Sequence, residues 1–335
     1  MIPGTPATLG YFENHLAGGF FARHETFCPR YGWLKKGFDG VLADPLIFDS
    51  PDAIERLGVG KNMVRSIRFW CVAFHLIEPD IESGPRRLGG PMRVTRFGNA
   101  LLSDDGWDPF LEDPASLWLL HWQLFSIPLA ATTWSLAINL GYMGSFGLRE
   151  LGQALIERKD SYPTLTRYNN SSVEKDASCF IRMYAPPPGE RVSDEIECLF
   201  THLGLLIPSD EKQAVRFNMA DKSTIPEEIF LAACFDYAYQ TNPGSKALLL
   251  SKAAYEFNAP GVVFKLSESD VGYRLERASQ KFGEDVRFVE LYGNRQLQFE
   301  RNPEGLYWEA LDQYYGEKTR ARHIQSYIPH PTEWV

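Results

Sequence analysis

The sequence predicts a mainly α-helical chain with small β-wings: an N-terminal winged helix-turn-helix, a helical middle, and a C-terminal winged or hairpin-bearing helical unit. Three observations carry this. Apolar residues recur at helical spacing across 61–77. Gly58 and Gly60 separate that stretch from a short helical run beginning near Ser50. In the last third, alternating Val, Phe, Leu and Gln flank Gly293-Asn294, which marks 286–299 as a hairpin. The expected organisation is an N-terminal segment (1–20), the winged-helix module (21–105), a helical middle (106–165), a C-terminal helical and winged module (166–320) and a tail (321–335).

Ser50 is expected to cap the short helix, with Pro51 at its first position and Glu55 near its middle. On the long helix, Met63, Val64, Ile67, Trp70, Cys71 and Phe74 make one apolar stripe. Lys61, Arg65 and Arg68, with Val72, fall on the roughly opposite face. A helix buried on one side and arginine-lined on the other, preceded by a short helix and a glycine turn, has the form of a groove-reading helix. An ordinary surface helix solvated by its Lys and Arg has the same pattern. Pro79 and the stretch 84–91 break the chain, after which 92–102 reads as a short strand entering a small helix. Arg86, Arg87, Arg93 and Arg96 would then line a basic wing.

Charge agrees with a local basic module. The chain carries 34 Lys and Arg against 43 Asp and Glu, net −9, yet residues 20–100 hold 12 basic against 9 acidic side chains. Phosphate binding responds to local charge, because salt limits the reach of any charge to about 10 Å. The five cysteines are scattered and never in CxxC spacing, which fits a reducing cytoplasm and argues against structural zinc. The most apolar stretch, 127–142, is interrupted by Ser, Thr, Trp and Asn and reads as a buried helix, so no membrane span is expected. The start, MIPGTPATLGYF, lacks the charged and apolar regions of a signal peptide.

Further along, Asp113 with Pro114 predicts a helix start. Asp104, Asp105, Asp108, Glu112 and Asp113 are read as turn and cap residues in preference to a divalent-cation cluster. The stretch 117–141 is read as helical core, with Trp118, Trp122 and Trp134 packing inside it. A second polar block, YNNSSVEKDASCFIRMYAPPP, predicts a helix over 173–184 capped by Ser171 or Ser172. It carries Lys175, Asp176, Cys179, Arg182 and Met183 at helical spacing, either as a phosphate- or metal-holding group or as an intrahelical salt bridge. Helices are expected over 226–240 and 268–282, and Arg274, Arg277, Lys281, Arg287 and Arg295 read as a solvated face.

Familiar motifs fail in identifiable ways. Gly60-Lys61 is followed by Asn62 where a phosphate-binding loop needs Ser or Thr, and Cys28 stands where the second His of HExxH belongs. No GxSxG or zinc-type His/Cys array is present.

The blocks RHETFCPRYGWLKKG, RLGVGKNMVRSIRFWCVAF, DGWDPFLEDPASLWLLHWQL and SSVEKDASCFIRMYAPP, in that order over roughly 20–315, closely resemble a family of bacterial proteins with an uncharacterised domain, encoded beside DNA phosphorothioation and restriction genes. The resemblance implies a cytoplasmic, defence-related protein that binds double-stranded DNA. It also implies a magnesium-dependent nicking endonuclease activity, opening one strand for sulfur incorporation. The implied partners are a cysteine desulfurase, an ATPase and an ATP-pyrophosphatase-like sulfur transferase.

Strand scission needs a hard cation held by carboxylates, cationic support for the phosphate and a proton-handling group. Arg23, His24, Glu25, Arg30, Lys35 and Lys36 gather these types within one short block. Here Glu25 is the expected metal ligand, His24 the general acid or base, and Arg23 and Arg30 phosphate clamps. The alternative is a buried Glu25–Arg30 salt bridge with His24 as its hydrogen-bond partner. Asp176, with Arg182, is the second catalytic and metal-ligating candidate, able to share one Mg²⁺ with Glu25 if the two blocks meet. Lys35, Lys36, Lys61, Asn62, Arg65, Arg68, Arg93 and Arg182 complete the expected DNA surface. A non-enzymatic DNA-binding scaffold that recruits the sulfur-transfer partners, or a regulator of the gene cluster, would use the same surface without the carboxylates.

Overall fold

Helices α1 (Trp33–Ala43), α2 (Ala53–Leu57) and α3 (Lys61–Ala73) open the main body of a computed structural model that describes residues 12, 15–16, 18–80, 89–141, 143–186, 198–211 and 213–326. α1 buries Trp33, Leu34, Phe38 and Val41 and crosses α3 closely at Gly37. A Cβ at Gly37 would lie 2.5 Å from Cys71 Sγ and 2.7 Å from Ile67 Cγ2, so the crossing requires glycine. Gly58, at φ 61°, ends α2 in the left-handed conformation, and Gly60 stands at the N-cap of α3. Val64, Ile67, Trp70 and Cys71 are buried along α3, as their spacing predicts.

Two boundaries differ from expectation. α3 stops at Ala73, because His75 adopts φ 55° and Ile77–Pro79 forms strand β1. β1 pairs antiparallel with β2 (Met92–Val94), with Ile77 opposite Val94. Ser50 is not a cap: Asp52 occupies the N-cap position of α2, and the Ser50 hydroxyl donates to the Asp52 carboxylate. β2 leads through Thr95, whose Oγ1 accepts from Gly98 N at 2.8 Å, into α4 (Arg96–Leu102). Arg86 and Arg87 lie outside the described residues.

Asp113 caps α5 (Pro114–Gln123), accepting from Ala115 N at 3.0 Å. Asp108 is buried and accepts from Glu112 N at 3.0 Å and Asp113 N at 2.9 Å, so these two acids are turn and cap residues, as read. The expected helical stretch 117–141 is divided: 124–131, which contains the cis Ile127–Pro128 bond, separates α5 from α6 (Thr132–Ile138). Trp118, Trp122 and Trp134 are packed inside, with the Trp122 indole N–H donating to Asp236 at 2.7 Å. α7 (Leu148–Asp160) precedes α8 (Asn170–Tyr184), which starts earlier than predicted. Asn169 holds the N-cap position of α8, and Ser171 and Ser172 lie inside its first turn.

β3 (Leu206–Pro208) and β4 (Val215–Phe217) form a second antiparallel ribbon. α9 (Glu227–Thr241) is buried from Ile229 to Phe235 and again at Tyr237 and Ala238, and packs along α13 (Pro303–Ser326). Between them lie β5 (Ala247–Leu249), α10 (Leu250–Tyr255), α11 (Pro260–Val263), α12 (Glu268–Ser279), β6 (Val286–Leu291) and β7 (Asn294–Phe299). The hairpin turn sits one residue earlier than predicted, on Tyr292 and Gly293 at φ 51° and 77°. Both positive angles belong to the tight turn that matches strand twist. β5 adds an unpredicted third strand, in the order β5-β7-β6.

Arg277 pairs with Glu227 at 2.7 Å and Arg295 with Glu268 at 3.5 Å on the surface, whereas Arg274, read as part of the same solvated face, is buried and donates to Ile225 O, Lys222 O and Asp221. Buried apolar residues from Phe12 to Tyr315 form one continuous core. Among the described residues no helix is long and apolar enough to cross a membrane.

Candidate functional site

The first sequence block folds as a tight loop against α8. Ala22, Glu25 and Thr26 take φ of 55°, 49° and 67°, a run of left-handed conformations that side chains rarely adopt. Asp176 holds it there. Its Oδ1 accepts from Ala22 N at 2.8 Å and from His24 Nε2 at 2.7 Å, and its Oδ2 accepts from Thr133 Oγ1 at 2.5 Å. His24 is fully buried between the rings of Trp70 and Trp134, at centroid distances of 6.0 and 5.6 Å. Among the described residues its Nδ1 has no hydrogen-bond partner. Arg182, exposed on α8, donates to Thr26 O at 2.6 Å and closes the loop from outside.

The two sequence blocks therefore meet, through His24 and Asp176. The contact occupies both Asp176 oxygens with protein donors, while Glu25 turns away towards α3. There Arg65 Nη1 lies 3.6 Å from Glu25 Oε1, with the Glu25 side chain 30% exposed. The Glu25–Arg30 salt bridge expected as an alternative does not form. Arg30 instead lies over the rings of Phe27 and Trp33 at 5.5 and 5.4 Å, and its backbone bridges to Cys198. Nor do Lys175, Asp176 and Arg182 make one group: Lys175 and Arg182 are exposed and Asp176 points inward. Among the described residues no three His, Cys, Asp or Glu side chains are grouped to hold a metal ion.

The expected DNA-facing residues lie at the surface, several of them already paired. Lys61, Asn62 and Arg65 are exposed on the first turns of α3, and Arg23 on the adjoining loop. Arg68 reaches Asp49 at 3.4 Å, and Arg93 reaches Glu78 at 2.8 Å across the β1–β2 ribbon. Lys35 contacts Asp39 at 2.6 Å and Asp104 at 2.9 Å, and Lys36 is exposed. With Tyr31, Arg56 and Phe110, Lys35 and Lys36 line a surface groove of about 490 Å³. Exposed pairs of this kind are worth about 0–1 kcal/mol each, so phosphate can take the place of the acid at low cost.

Sequence reading missed one cluster altogether. Cys28 Sγ lies 3.5 Å from Cys179 Sγ, and hydrogen bonds from Cys179 and Cys198 hold the Cys28 thiol well below its ordinary range. Burial pushes the Cys179 and Cys198 thiols up. Spacing along the chain gave no sign of this, because the three sulfurs come from separate elements. Asp176 did leave a signal: it continues the apolar stripe Val173, Ala177 and Phe180 of α8 at i, i+3, i+4 positions, where an ionisable residue needs a buried partner.

The family model described as "Protein of unknown function (DUF4007)" matches residues 21–315. No curated protein matches. Two solved structures do. One, described as "SspB crystal structure", is 34% identical with a TM-score of 0.82, covering 95% of this chain and 92% of that one. The other, "Magnesium ion-bound SspB crystal structure", is 33% identical with a TM-score of 0.83 and the same 95% and 92% coverage.

Proposed function

The chain belongs to the DUF4007 family, is similar to SspB over nearly its whole length, and from that premise we propose that it is a DNA-binding component of a phosphorothioation system that nicks one strand in a magnesium-dependent reaction. The observation that carries this reading is the contact between the strained loop and the basic helix. It sets the Glu25 carboxylate beside Arg65 on α3, whose first turn also exposes Lys61 and Asn62, while Arg23 is exposed two residues before Glu25 on the loop. In this reading α2, the glycine turn, α3 and the β1–β2 ribbon act as a winged helix-turn-helix. Arg65, Arg68 and Lys61 meet duplex phosphates and Arg93 follows the wing.

The donor set limits what the protein can do with Mg²⁺. Glu25 offers one half-exposed carboxylate, and the buried Asp176 already accepts from Ala22, His24 and Thr133 through both of its oxygens. Such a set fits a magnesium that keeps its waters and takes its remaining ligands from substrate phosphate, and does not fit an all-protein cage. Magnesium so placed would supply charge neutralisation at the phosphate. The protein's own part is to fix the loop through His24 and Asp176, which act as positioning residues, and to hold the backbone with Arg23 and Arg65. A cysteine desulfurase, an ATPase and an ATP-pyrophosphatase-like sulfur transferase are the proposed partners at the opened strand.

Relaxation of supercoiled plasmid by the pure protein, with Mg²⁺ and with EDTA, tests the reading. Open circles that form only with Mg²⁺ are expected. Tight duplex binding without nicking would leave the second reading, a non-enzymatic scaffold or regulator.

A further inference from the structure

A cavity of about 810 Å³ opens between the end of α6, α7, β4 and the α10–α11 corner, away from the loop carrying Glu25. Three cations line it. Lys265 is 8% exposed, yet among the described residues no carboxylate pairs with it. Its ammonium donates to Ile138 O at 2.6 Å and lies 4.1 Å from the centroid of the Phe217 ring. An ammonium carries three donors, so one carbonyl and one ring face leave it under-satisfied in a site where burial alone lowers its pKa to about 7. Arg158, on α7, keeps a buried Nε with no partner, and Arg216, on β4, is exposed and without an ion pair among the described residues. The cavity's acid, Glu157, already accepts from Gln153 Nε2 at 2.7 Å.

A buried cation with no counter-charge is costly, and an anion in the cavity removes that cost. Guanidinium forks and a lysine point charge together suit a phosphate group. The remaining wall, with Met143, Phe217, Tyr255 and Val262, is apolar and aromatic. The volume falls in the range of small-molecule sites, room for one nucleotide and not for a duplex.

We infer that this cavity binds a nucleotide-sized phosphate ester, with its phosphate on Lys265, Arg158 and Arg216 and its ring against Phe217 and Tyr255. The site stands apart from any nicking activity and does not depend on it.

Calorimetric titration of the full chain with a nucleoside 5′-monophosphate, without Mg²⁺, tests the inference. Saturable one-to-one binding is expected, with the bare nucleoside and inorganic phosphate each at least about tenfold weaker. Arg158→Ala and Arg216→Ala, each checked for an unchanged fold, should each weaken the monophosphate about tenfold while leaving duplex binding unchanged. Lys265→Met should abolish it. The inference fails if the monophosphate does not saturate at millimolar concentration, if either arginine variant binds it normally, or if the nucleoside binds as tightly. A 5′-phosphorylated single strand that binds where the monophosphate does not would also overturn it and give the cavity to a strand end.

Discussion

The basic surface around α3 and the cavity beneath Lys265 hold their cations in opposite ways. On the first, Arg65, Arg68, Arg93 and Lys35 each lean on an acid, namely Glu25, Asp49, Glu78 and Asp39. Their charge is visible in the sequence as a locally positive stretch, but in the fold it is largely balanced and exchangeable. In the second, Lys265, Arg158 and Arg216 have no such partners among the described residues, and they come from distant parts of an acidic chain. Counting charges along a sequence therefore finds surfaces that can trade an acid for phosphate. It does not find sites where the fold has left a cation waiting for an anion.

The largest expected effect lies at the pair that fixes the Glu25 loop. Asp176→Ala removes the acceptor of Ala22 N, His24 and Thr133 together. Breaking a buried pair of this kind costs about 3–5 kcal/mol. In a chain of this size that lowers the melting temperature by roughly 4–7 °C, read by calorimetry. The drop should be the same with and without Mg²⁺. A loss seen only with Mg²⁺ would make Asp176 a metal ligand after all.

Glu25→Gln comes next and separates the chemistry from the scaffold. The exposed Glu25–Arg65 contact contributes about 1 kcal/mol or less, so the melting temperature should move by no more than about 2 °C. Plasmid nicking should fall at least about a hundredfold while duplex affinity does not fall and, with Arg65 freed from its carboxylate, tightens slightly. Full nicking at normal stability would remove Glu25 from the site.

What the sequence made legible and what it hid divide along the same line. The stripe on α3, the Asp113 cap and the strand entering α4 rest on local periodicity and local hydrogen bonds, and these emerged close to expectation. Helix ends were less readable. Whether α3 continues past Ala73 depends on β2, which pairs with β1 from the far side of 81–88. His24 was chosen for its residue type, but its partner is 152 positions away, and its burial depends on Trp70 and Trp134. The thiol cluster and Lys265 were invisible for the same reason, since a lysine in GVVFKLSES looks like any solvated helix end.

Lys265 gives the comparison a pH signature. Burial lowers its pKa to about 7 from 10.5, so between those values the unfolded chain holds a proton that the folded chain has lost. Its penalty is complete below about pH 7 and lifts as pH rises towards 10.5. Relative to Lys265→Met, the native protein should therefore gain on the order of 2 kcal/mol between pH 7 and pH 9 in denaturant titrations. Parallel pH profiles for the two proteins would show that Lys265 is solvated or already paired. The contrast with α3 would then collapse.

The smallest effect is expected on the α3 face, where pairing has already neutralised much of the charge. Arg65→Ala combined with Arg68→Ala removes two phosphate contacts, so the slope of log affinity against log salt should flatten by about 1.8 for duplexes of any sequence. The affinity loss should be modest, about tenfold at moderate salt, because each arginine gives up an acid to meet DNA. Glu25→Gln offers a control, since freeing Arg65 from its carboxylate should tighten duplex binding slightly as nicking disappears. An unchanged salt slope in a folded double variant would remove α3 from the DNA interface. The groove lined by Lys35, Lys36 and Arg56 would then be the surface to test next.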